Sequence, residues 1–454
     1  MKLTAVCGDF LKTYLKPEIG SRLYMGFSAG IPYLLRLTIL DLWLKESGVS
    51  NTVIGLFTFL YWPFTLKFLW APFIERTDFP FLSKKLGRRR GWAVASQLLL
   101  FISLLGMACS SPQSSLTSLI FFASLATLGD GIQDMSLYAF QIDKTKAEMF
   151  GPIAGAFIFG YRSGMFFAKS VSLYLAYYLS WNAAYAIMAF SIFLCTFFVL
   201  HAEEPDVVPT DEMNRIEKIV KIYEKRKSFR FEFLRILNAS LLECLVCPFK
   251  MFIKRKHSLL LISVIVLYRA GDKMAQKMAK LFYVDVGFSK LEIANVVQVF
   301  GAIASLIGGV IGGYFVKKYG VKKAMLMIGA AHALSCFAYV LMSKVGYNIS
   351  MLYFTVFVEN ITGGAIATAF VAFLYSLCNK TYATTQYALL WAFYEFGGTI
   401  CRALSGAIAD ALGWTNFFLF VPITFIPSLA ILYFLLTKEK LSFPVEKSLK
   451  CETI

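Results

Sequence analysis

Charged residues are scarce in this sequence, because only 16% of its 454 residues are Asp, Glu, Lys or Arg, whereas 58% are hydrophobic. Average soluble domains carry about 25% charged residues. The deficit excludes a single large soluble core. Apolar stretches of about 20 residues, each long enough to cross a hydrocarbon layer of about 30 Å, recur along the whole chain instead. The sequence therefore predicts an all-α, polytopic membrane protein.

Motifs for catalysis and for metal binding are also in short supply. The nine cysteines are scattered and predict no disulfide framework, and the Cys244-x-x-Cys247 pair has neither a second pair nor a histidine near it. No H-E-x-x-H motif or phosphate-binding loop occurs. We expect His332, inside an apolar span, to be a packing residue rather than a ligand. The expectation is therefore a protein that is not an enzyme and that has no metal or cofactor.

Twelve apolar spans are separated by charged or turn-forming residues. They cover residues 23–44, 52–74, 92–110, 115–138, 152–178, 182–200, 258–286, 290–313, 323–342, 349–376, 384–408 and 415–437. The charged residues that precede the first span, Asp9 and Lys12 among them, argue against a cleavable signal peptide. We expect the N-terminus to be retained.

Basic residues are concentrated in alternate loops. If both termini are cytoplasmic, the clusters around Arg89 and Lys322 and the basic segment 201–257 lie on the same side of the membrane. The loops on the opposite side keep only Lys45, Lys290 and Lys344. This is the positive-inside pattern, so the net charge of +17 indicates topology and contact with anionic lipid and no nucleic-acid partner.

The two parts of the chain resemble each other at a fixed spacing. Gly87 and Gly320 both precede a basic cluster at an offset of 233 residues, and Trp181 pairs with Trp414 at the same offset. Tyr161 and Tyr394 do so as well. Such an offset indicates an internal repeat of six helices.

The repeat divides the chain at its basic middle segment. We predict an N-terminal six-helix half over 1–200 and a C-terminal six-helix half over 258–440. The segment 201–257 carries twelve Lys or Arg residues. Its apolar residues at helical spacing favour an amphipathic linker on the cytoplasmic membrane surface, although a solvated charged linker fits equally well. Residues 441–454 are expected to form a cytoplasmic tail.

One face of the seventh span is polar over three turns. A charged residue at the centre of a bilayer costs about 2.5–3.5 kcal/mol, so such residues usually face water or a partner. Four of the six residues on this face are cationic and one is anionic, which predicts a water-filled pathway that attracts an anion. The six residues are Arg269, Asp272, Lys273, Gln276, Lys277 and Lys280.

The fourth span supplies carboxylates. Asp130 and Asp134 lie one turn apart with Gln133 beside them. Paired carboxylates in a membrane cavity are candidate proton carriers. Alternatively, Asp134 neutralises Arg162 or Arg269 across the cavity. Both interpretations stay open at this point.

Two basic loops have the composition of a conformational latch. The loop between helices 2 and 3 and the loop between helices 8 and 9 can bind helix C-termini or acidic side chains and so hold one state of a rocking transporter. The candidate gating residues are Glu75, Arg76, Arg88, Arg89, Arg90, Lys322 and Lys323.

Several sequence blocks together resemble the AmpG-type muropeptide permeases of the major facilitator superfamily, over nearly the whole chain. The blocks occur in the order and in the halves expected of that family. They are 26–32 (GFSAGIP), 62–72 (WPFTLKFLWAP) with 87–92 (GRRRGW), 160–164 (GYRSG), 268–272 (YRAGD), 359–364 (ENITGG) and 383–390 (ATTQYALL). The resemblance implies a major facilitator fold of 12 transmembrane helices in two six-helix halves.

The resemblance also implies a function. It implies proton-coupled import, across the inner membrane into the cytoplasm, of N-acetylglucosaminyl-1,6-anhydro-N-acetylmuramic acid with or without its peptide. One position departs from the family pattern, because Tyr138 stands where a second aspartate is expected one turn after Asp134, although Asp130 could restore a pair. Lys273 and Lys277 look like additions that favour a more anionic cargo.

The residues and the resemblance together give two further candidate sets. The expected partners are a proton, an anionic sugar-peptide and membrane lipid, and we expect a monomer. The proton-coupling candidates are Asp130, Asp134, Asp272 and Glu359. The substrate-binding candidates are Gln133, Arg162, Arg269, Lys273, Gln276, Lys277 and Asn360.

Two other functions remain as alternatives. A divergent paralogue could transport another organic anion, such as an acyl-CoA or a peptide-like metabolite. A protein of this composition could also be a membrane sensor that binds a ligand without moving it. Uptake of labelled anhydromuropeptide distinguishes all three.

Overall fold

The computed structural model describes residues 12–50, 53, 57–204, 249–250, 252–253, 255, 257–379 and 382–437. Within these ranges the chain is almost entirely helical and contains no strand. Most of the predicted amphipathic linker and the whole of the predicted tail, 441–454, lie outside the described residues.

The first six spans are helical, and two of them are broken. The helix α1 consists of Pro17–Leu34, a π-helical turn Leu35–Ile39 and Leu40–Glu46, and α2 consists of Phe57–Tyr61, Trp62–Thr65 and Lys67–Arg76. The short helices Leu82–Leu86 and Ala147–Met149 lie in loops. The other four are α3 (Arg88–Ala108), α4 (Leu116–Lys144), α5 (Phe150–Tyr178) and α6 (Trp181–His201).

The last six spans follow the same order. They are α7 (Ser258–Leu267 and Ala270–Val286), α8 (Lys290–Glu292, Ile293–Phe300 and Gly301–Tyr319), α9 (Val321–Ser335 and Phe337–Val345) and α10 (Ile349–Leu377). The helix Ala383–Ile423 changes direction at Gly413, where φ is 70° and ψ is 164°. We number its part before Gly413 as α11, and its part after Gly413 together with Ile426–Thr437 as α12.

The predicted twelve-helix membrane fold is confirmed. Seven helical segments of the described chain are long and apolar enough to cross a membrane, and the last of them, Ala383–Thr437, contains both α11 and α12. Helix α7 is broken between Leu267 and Ala270, so neither of its parts reaches that length alone. The break lies beside Arg269, at the start of the predicted polar face.

Glycines allow the closest helix contact of the N-terminal half. A Cβ on Gly26 of α1 would lie 2.0 Å from the carbonyl oxygen of Phe157, and a Cβ on Gly160 of α5 would lie 1.9 Å from that of Leu23. Any side chain at either position would therefore separate α1 from α5. Backbone contact through small residues is a common way for membrane helices to pack.

The spacing that indicated a repeat has a structural counterpart. Trp181, at the start of α6, donates its indole N–H to Glu46 at 2.8 Å, and Trp414, at the start of α12, donates its own to Asp285 at 2.9 Å. In each case the acceptor lies at the end of the helix that begins that set of six. The exact division into halves at 201–257 stays a prediction.

Candidate functional site

Two buried ion pairs connect α4 to its neighbours. Arg36 Nε on α1 lies 2.8 Å from Asp130 Oδ2, and Lys67 on α2 pairs with Asp134. All four side chains are less than 10% exposed. Lys67, and neither Arg162 nor Arg269, therefore neutralises Asp134, which corrects the alternative drawn from the sequence.

An amide cluster lies beside these pairs. Gln97 and Gln133 donate to the Ser28 hydroxyl at 3.1 and 3.0 Å, and that hydroxyl donates to the Met25 carbonyl. Ser28 stands in a stretch, 26–30, that fits the G-x-S-x-G pattern of serine hydrolases. It lies inside a helix and its proton is used by a backbone carbonyl, so the resemblance to a nucleophile is one of letters only. The Oε1 atom of buried Gln133 has no hydrogen-bond partner in the described part of the chain.

The polar face of α7 begins with a tightly bound carboxylate. Asp272 is fully buried and pairs with Arg269, whose Nε lies 2.9 Å from Asp272 Oδ2. Gln276 donates to the other oxygen of Asp272 at 2.7 Å. The free end of Arg269 reaches Tyr394 on α11 at 3.0 Å. Arg269 and Asp272 are thus fixed as a unit before any substrate arrives.

A histidine completes this unit. His332 on α9 is 1% exposed, and its Nε2 lies 3.3 Å from Asp272 Oδ1. Its Nδ1 lies 2.8 Å from the hydroxyl of Thr362 on α10. His332 is therefore buried as expected, and both of its ring nitrogens have polar partners.

Glu359 differs from the other three candidate carboxylates. It is 7% exposed, and it accepts a hydrogen bond at 2.8 Å from the amide of Asn360. In the part of the chain that is described, no cation lies within ion-pair distance of it. The amide of Asn360 is also bound to the Val356 carbonyl. Asn360 is thus engaged within its own helix.

The remaining cations of the predicted substrate site differ in their pairing. Lys273 lies 3.2 Å from Glu395, which also pairs with Arg402. Lys277 is exposed, and Arg162 on α5 is half-buried. Neither of these two makes an ion pair with a described residue. Arg162 has Arg269, Asp272 and Glu359 as its electrostatic neighbours.

Aromatic rings lie between the two groups of charges. Tyr138 on α4 stacks on Tyr387 of α11, with ring centroids 4.2 Å apart and an interplanar angle of 22°. Trp391 is 6.0 Å from Tyr387 and 5.1 Å from Tyr394. The Nζ of Lys67 lies 5.7 Å from the Trp391 ring. The tyrosine at position 138 thus belongs to an aromatic contact between the halves.

One arginine connects four helices at the end of the bundle where α3 begins, which we call the basic end. Arg89 is 1% exposed and binds Glu75 of α2 at 2.5 Å and Asp143 of α4 at 2.7 Å. It also donates to the hydroxyl of Thr384, the second residue of α11, at 2.6 Å. The second oxygen of Glu75 accepts the backbone N–H of Thr385 at 3.0 Å.

Two further contacts between the halves lie at the basic end. Tyr14 donates to the Val310 carbonyl of α8 at 2.7 Å, and Lys317 donates to the Thr13 hydroxyl at 2.5 Å. At the opposite end, Lys169 of α5 donates to Gln298 of α8 at 2.6 Å. The basic end is thus closed by polar contacts that involve α2, α3, α8 and α11.

The other candidate gating residues act within one half or lie outside the contact. Arg90 donates to the carbonyls of Leu200 and Ala202 after α6, at 3.0 and 2.6 Å. Arg88 and Lys322 are half-buried, Lys323 is exposed, and the side chain of Arg76 lies outside the described residues.

A carboxylate outside the spans begins α3. Glu204 accepts the backbone N–H groups of Arg89 and Arg90 at 2.7 and 3.0 Å. Burial raises the pKa of Glu204, and those two hydrogen bonds oppose the increase. Glu204 therefore serves as the N-terminal cap that fixes the backbone of Arg89.

Sequence reasoning missed several partners in these groups. Asp143, Thr384 and Thr385 received no gating role, and Lys67 was interpreted as an interfacial residue. The signal for Asp143 and Lys67 was available, because a charge inside a span requires a partner. Thr384 could not be found in this way, since a hydroxyl carries no such requirement.

Comparison with known proteins identifies the fold and its relatives. The family model of the Major Facilitator Superfamily matches residues 23–343 and 260–450. The Anhydromuropeptide permease of Escherichia coli K12 is 30% identical over 427 residues, which are 93% of this chain and 81% of that protein. A Rickettsia conorii transporter named AmpG 4 is 30% identical over 416 residues, 91% of this chain and 95% of that protein.

Solved structures agree on the fold. The Escherichia coli fucose:proton symporter FucP has a TM-score of 0.66 at 12% identity, and the two chains are covered to 93% and 99%. The proton:xylose symporter XylE has a TM-score of 0.59 at 13% identity, with 94% of this chain and 96% of XylE covered. At such identities the likeness concerns the arrangement of helices alone.

Proposed function

The chain belongs to the major facilitator superfamily, and on that premise we propose that it is an inner-membrane permease that imports anhydromuropeptides by proton symport. The chain is a multi-pass membrane transporter, and the curated relative from Escherichia coli that carries the name Anhydromuropeptide permease aligns with 93% of it. Both termini face the cytoplasm in this proposal. The working unit is a monomer.

The observation that carries the proposal is the position of Arg162. It is a half-buried cation in the middle of a membrane helix, it makes no ion pair with a described residue, and it faces the Arg269–Asp272 unit. An unpaired cation at this depth is costly unless an anion visits it. Exposed Lys277 adds a second free positive charge. A cargo with several carboxylates, such as the peptide of a muropeptide, supplies the anions.

The aromatic group suits the sugar part of the same cargo. Sites for small molecules are mostly lined by apolar and aromatic side chains with a few polar groups that fix orientation. Trp391 and Tyr394 offer rings beside Arg269, and Gln133 offers an unused Oε1 acceptor. Sugar hydroxyls are donors that match this acceptor.

We assign proton coupling to the four buried carboxylates of the central region. Asp130, Asp134 and Asp272 each hold a cation, whereas Glu359 does not. An ion pair opposes proton binding, so Glu359 is the carboxylate best placed to exchange a proton with water during the cycle. Asp134 is the candidate for gating, because its partner Lys67 also lies near Trp391 of the other half.

The closed basic end fits a state that is open to the periplasm. In this proposal, substrate enters from the periplasmic side, and rocking of the halves breaks the contacts of Arg89 and Glu75 with α11. Release then takes place into the cytoplasm. The latch must be weak enough to open in each cycle.

Uptake by proteoliposomes tests the function. Purified protein is given radiolabelled anhydromuropeptide, with an imposed pH gradient, with a collapsed gradient, or with an excess of an unlabelled acyl-CoA or peptide as competitor. Accumulation that requires the gradient and is blocked only by anhydromuropeptide supports the proposal. Accumulation of the acyl-CoA or the peptide instead identifies a paralogue for another organic anion. Binding without any accumulation identifies a sensor.

A further inference from the structure

His332 is a titratable group at the substrate site that no candidate set includes. It lies on α9, and the groups that face it come from several helices. Arg269 and Asp272 approach from α7, Glu359 from α10 and Arg162 from α5. The Cys336 thiol of its own helix binds its carbonyl, and Phe425 packs edge-on against its ring at 5.6 Å.

Other elements near His332 contribute no further charge to its surroundings. The lysines of the helix Gly301–Tyr319 occur in its last turn, and Ile426–Thr437 contains no charged residue. Lys273 acts on Asp272 and is itself held by Glu395. The charge balance around the imidazole is therefore set by four groups, which are Arg162, Arg269, Asp272 and Glu359.

The hydrogen bonds around His332 permit two protonation states without movement of heavy atoms. Nε2–H donates to Asp272 in both states. When Nδ1 is unprotonated, the Thr362 hydroxyl donates to it at 2.8 Å. When Nδ1 carries a proton, Nδ1–H donates to the same oxygen, and the hydroxyl turns to the Val358 carbonyl at 2.8 Å. Thr362 thus serves either form.

Asp272 connects this choice to Arg269. One oxygen of Asp272 holds Arg269, while the other accepts from Gln276 and His332. A protonated His332 gives Asp272 a second full positive partner, and the hold of Asp272 on Arg269 then weakens. Arg269 lies beside Tyr394 and Arg162, where it can turn toward an anion. Neutral His332 leaves Arg269 with Asp272.

We propose that His332 couples proton binding to anion binding by releasing Arg269 from Asp272 when its imidazole is protonated. The inference rests on the proposed function, in which the cargo is anionic and moves with a proton. Glu359 takes a proton from the water of the open side and passes it to Nδ1, so its carboxyl becomes a carboxylate as the imidazole becomes an imidazolium. The proton leaves to water after the cargo does, and the imidazole is neutral again.

The position of Gly363 supports this transfer. The site of a Cβ on Gly363 lies 3.6 Å from His332 Cε1 and 3.9 Å from Glu359 Oε1. The two titratable groups therefore flank one residue that has no side chain. Coupling is reciprocal, so the anion must strengthen proton binding by the factor with which the proton strengthens anion binding, typically about 5- to 150-fold.

Binding measurements in nanodiscs test the coupling with GlcNAc-1,6-anhydroMurNAc-peptide as the probe. We expect about tenfold tighter binding at pH 5.5 than at pH 8 in the unmodified protein, within the usual range of coupling factors. His332→Gln keeps a polar side chain that does not titrate, and it should lose this difference. Thr362→Val should lose it as well, whereas Thr362→Ser should retain it. A His332→Gln variant with the full pH dependence would overturn the proposal.

A second measurement needs no substrate. The chain has three histidines, and the double substitution His201→Gln with His257→Asn leaves His332 as the only source of histidine signals in a ¹⁵N-histidine spectrum. Asn is suitable at 257 because that residue has a φ of 61°. We expect the imidazolium fraction at pH 7 to rise when Arg269→Gln is added, since Asp272 then has no competing cation.

The two measurements separate the two possible failures. If the probe does not bind at either pH, the proposed function is wrong, and the spectrum still decides the role of His332. An imidazole that stays in one protonation state from pH 5 to 8.5, or an imidazolium fraction that does not respond to Arg269→Gln, would overturn the proposal. Chemical shifts elsewhere in the protein report whether each variant is folded.

Discussion

Arg89 on α3 donates a hydrogen bond to Thr384 at the start of α11, at 2.6 Å, and so joins residues that are 295 positions apart. The same guanidinium holds Glu75 and Asp143. Its planar fork of donors binds all three acceptors at once, which a single ammonium group does less well. The closed basic end therefore depends on the identity of this residue as well as on its charge.

Arg89→Lys should weaken the closed basic end. Spin labels at exposed positions 84 and 323, in a cysteine-free background, measure the distance between the halves by pulsed electron paramagnetic resonance. We expect a longer and broader distance distribution than in the unmodified protein, and transport reduced at least about tenfold, because loss of one strong contact costs about 1.4 kcal/mol or more. Arg90→Lys is the matched control, since Arg90 binds carbonyls of its own half. Identical distributions in both variants would contradict the latch.

The Lys67–Asp134 pair should tolerate removal of both charges better than removal of one. Lys67→Met or Asp134→Asn alone leaves a buried charge without its partner, at a cost of about 3–5 kcal/mol. The double variant should recover most of the thermal stability, measured in detergent by loss of monodisperse protein on heating. If Asp134 has a role in gating, gradient-driven uptake stays lost in the stable double variant. Full uptake would remove Asp134 from the mechanism.

The exposed lysines of α7 should differ in their effect on substrate binding. Lys273→Ala combined with Lys277→Ala should raise the KM for anhydromuropeptide at least tenfold, because a hydrogen bond to a charged group contributes about 1.5–3 kcal/mol. Lys280→Ala, one turn further along the same face, should change KM by less than about twofold if it is an interfacial anchor. Initial uptake rates over a range of substrate concentrations provide both values. An unchanged KM in the double variant would refute the anion site.

The glycines before α3 and α9 provide a matched pair for stability. Gly87 has a φ of 87° and Gly320 a φ of 76°, so an alanine at either position is strained by about 1–2 kcal/mol. Only at Gly87 would the added Cβ meet another group, because Glu204 Cδ lies 2.3 Å from its position. Gly87→Ala should therefore also displace the Glu204 cap, and it should be less stable than Gly320→Ala by about 1 kcal/mol. Thermal unfolding of the two variants in the same detergent compares them, and equal stabilities would show that the cap contributes little.

The sequence was sufficient to predict the helices, because the cost of exposing a backbone or a charge to lipid is local. Apolar length alone placed twelve spans, and the offset of 233 residues paired Gly87 with Gly320 and Trp181 with Trp414. The polar face of α7 also followed from spacing. Its break at Arg269 did not, since neither glycine nor proline stands between Leu267 and Ala270.

The pairing of charges could not be predicted from the sequence. A charge inside a span shows that a partner is needed but not which helix provides it. Asp134 had Arg162 and Arg269 as apparent partners, yet Lys67 reaches it because α2 and α4 are in contact. His332 was interpreted as a packing residue, and its contact with Asp272 depends on how α7 and α9 are placed in space. Roles that arise from three-dimensional packing require the structure.

The two tryptophan–carboxylate contacts, Trp181 with Glu46 and Trp414 with Asp285, have an evolutionary consequence. An ancestral gene for six helices that was duplicated and fused would pass the same fastening to both copies. The chemistry at the centre has since diverged, with two ion pairs beside Gln133 in one copy and a histidine beside a free carboxylate in the other. Natural selection has therefore preserved the mechanical anchors of each copy while it specialised their interiors, so a chimaera that exchanges the central residues but keeps the anchors should still assemble.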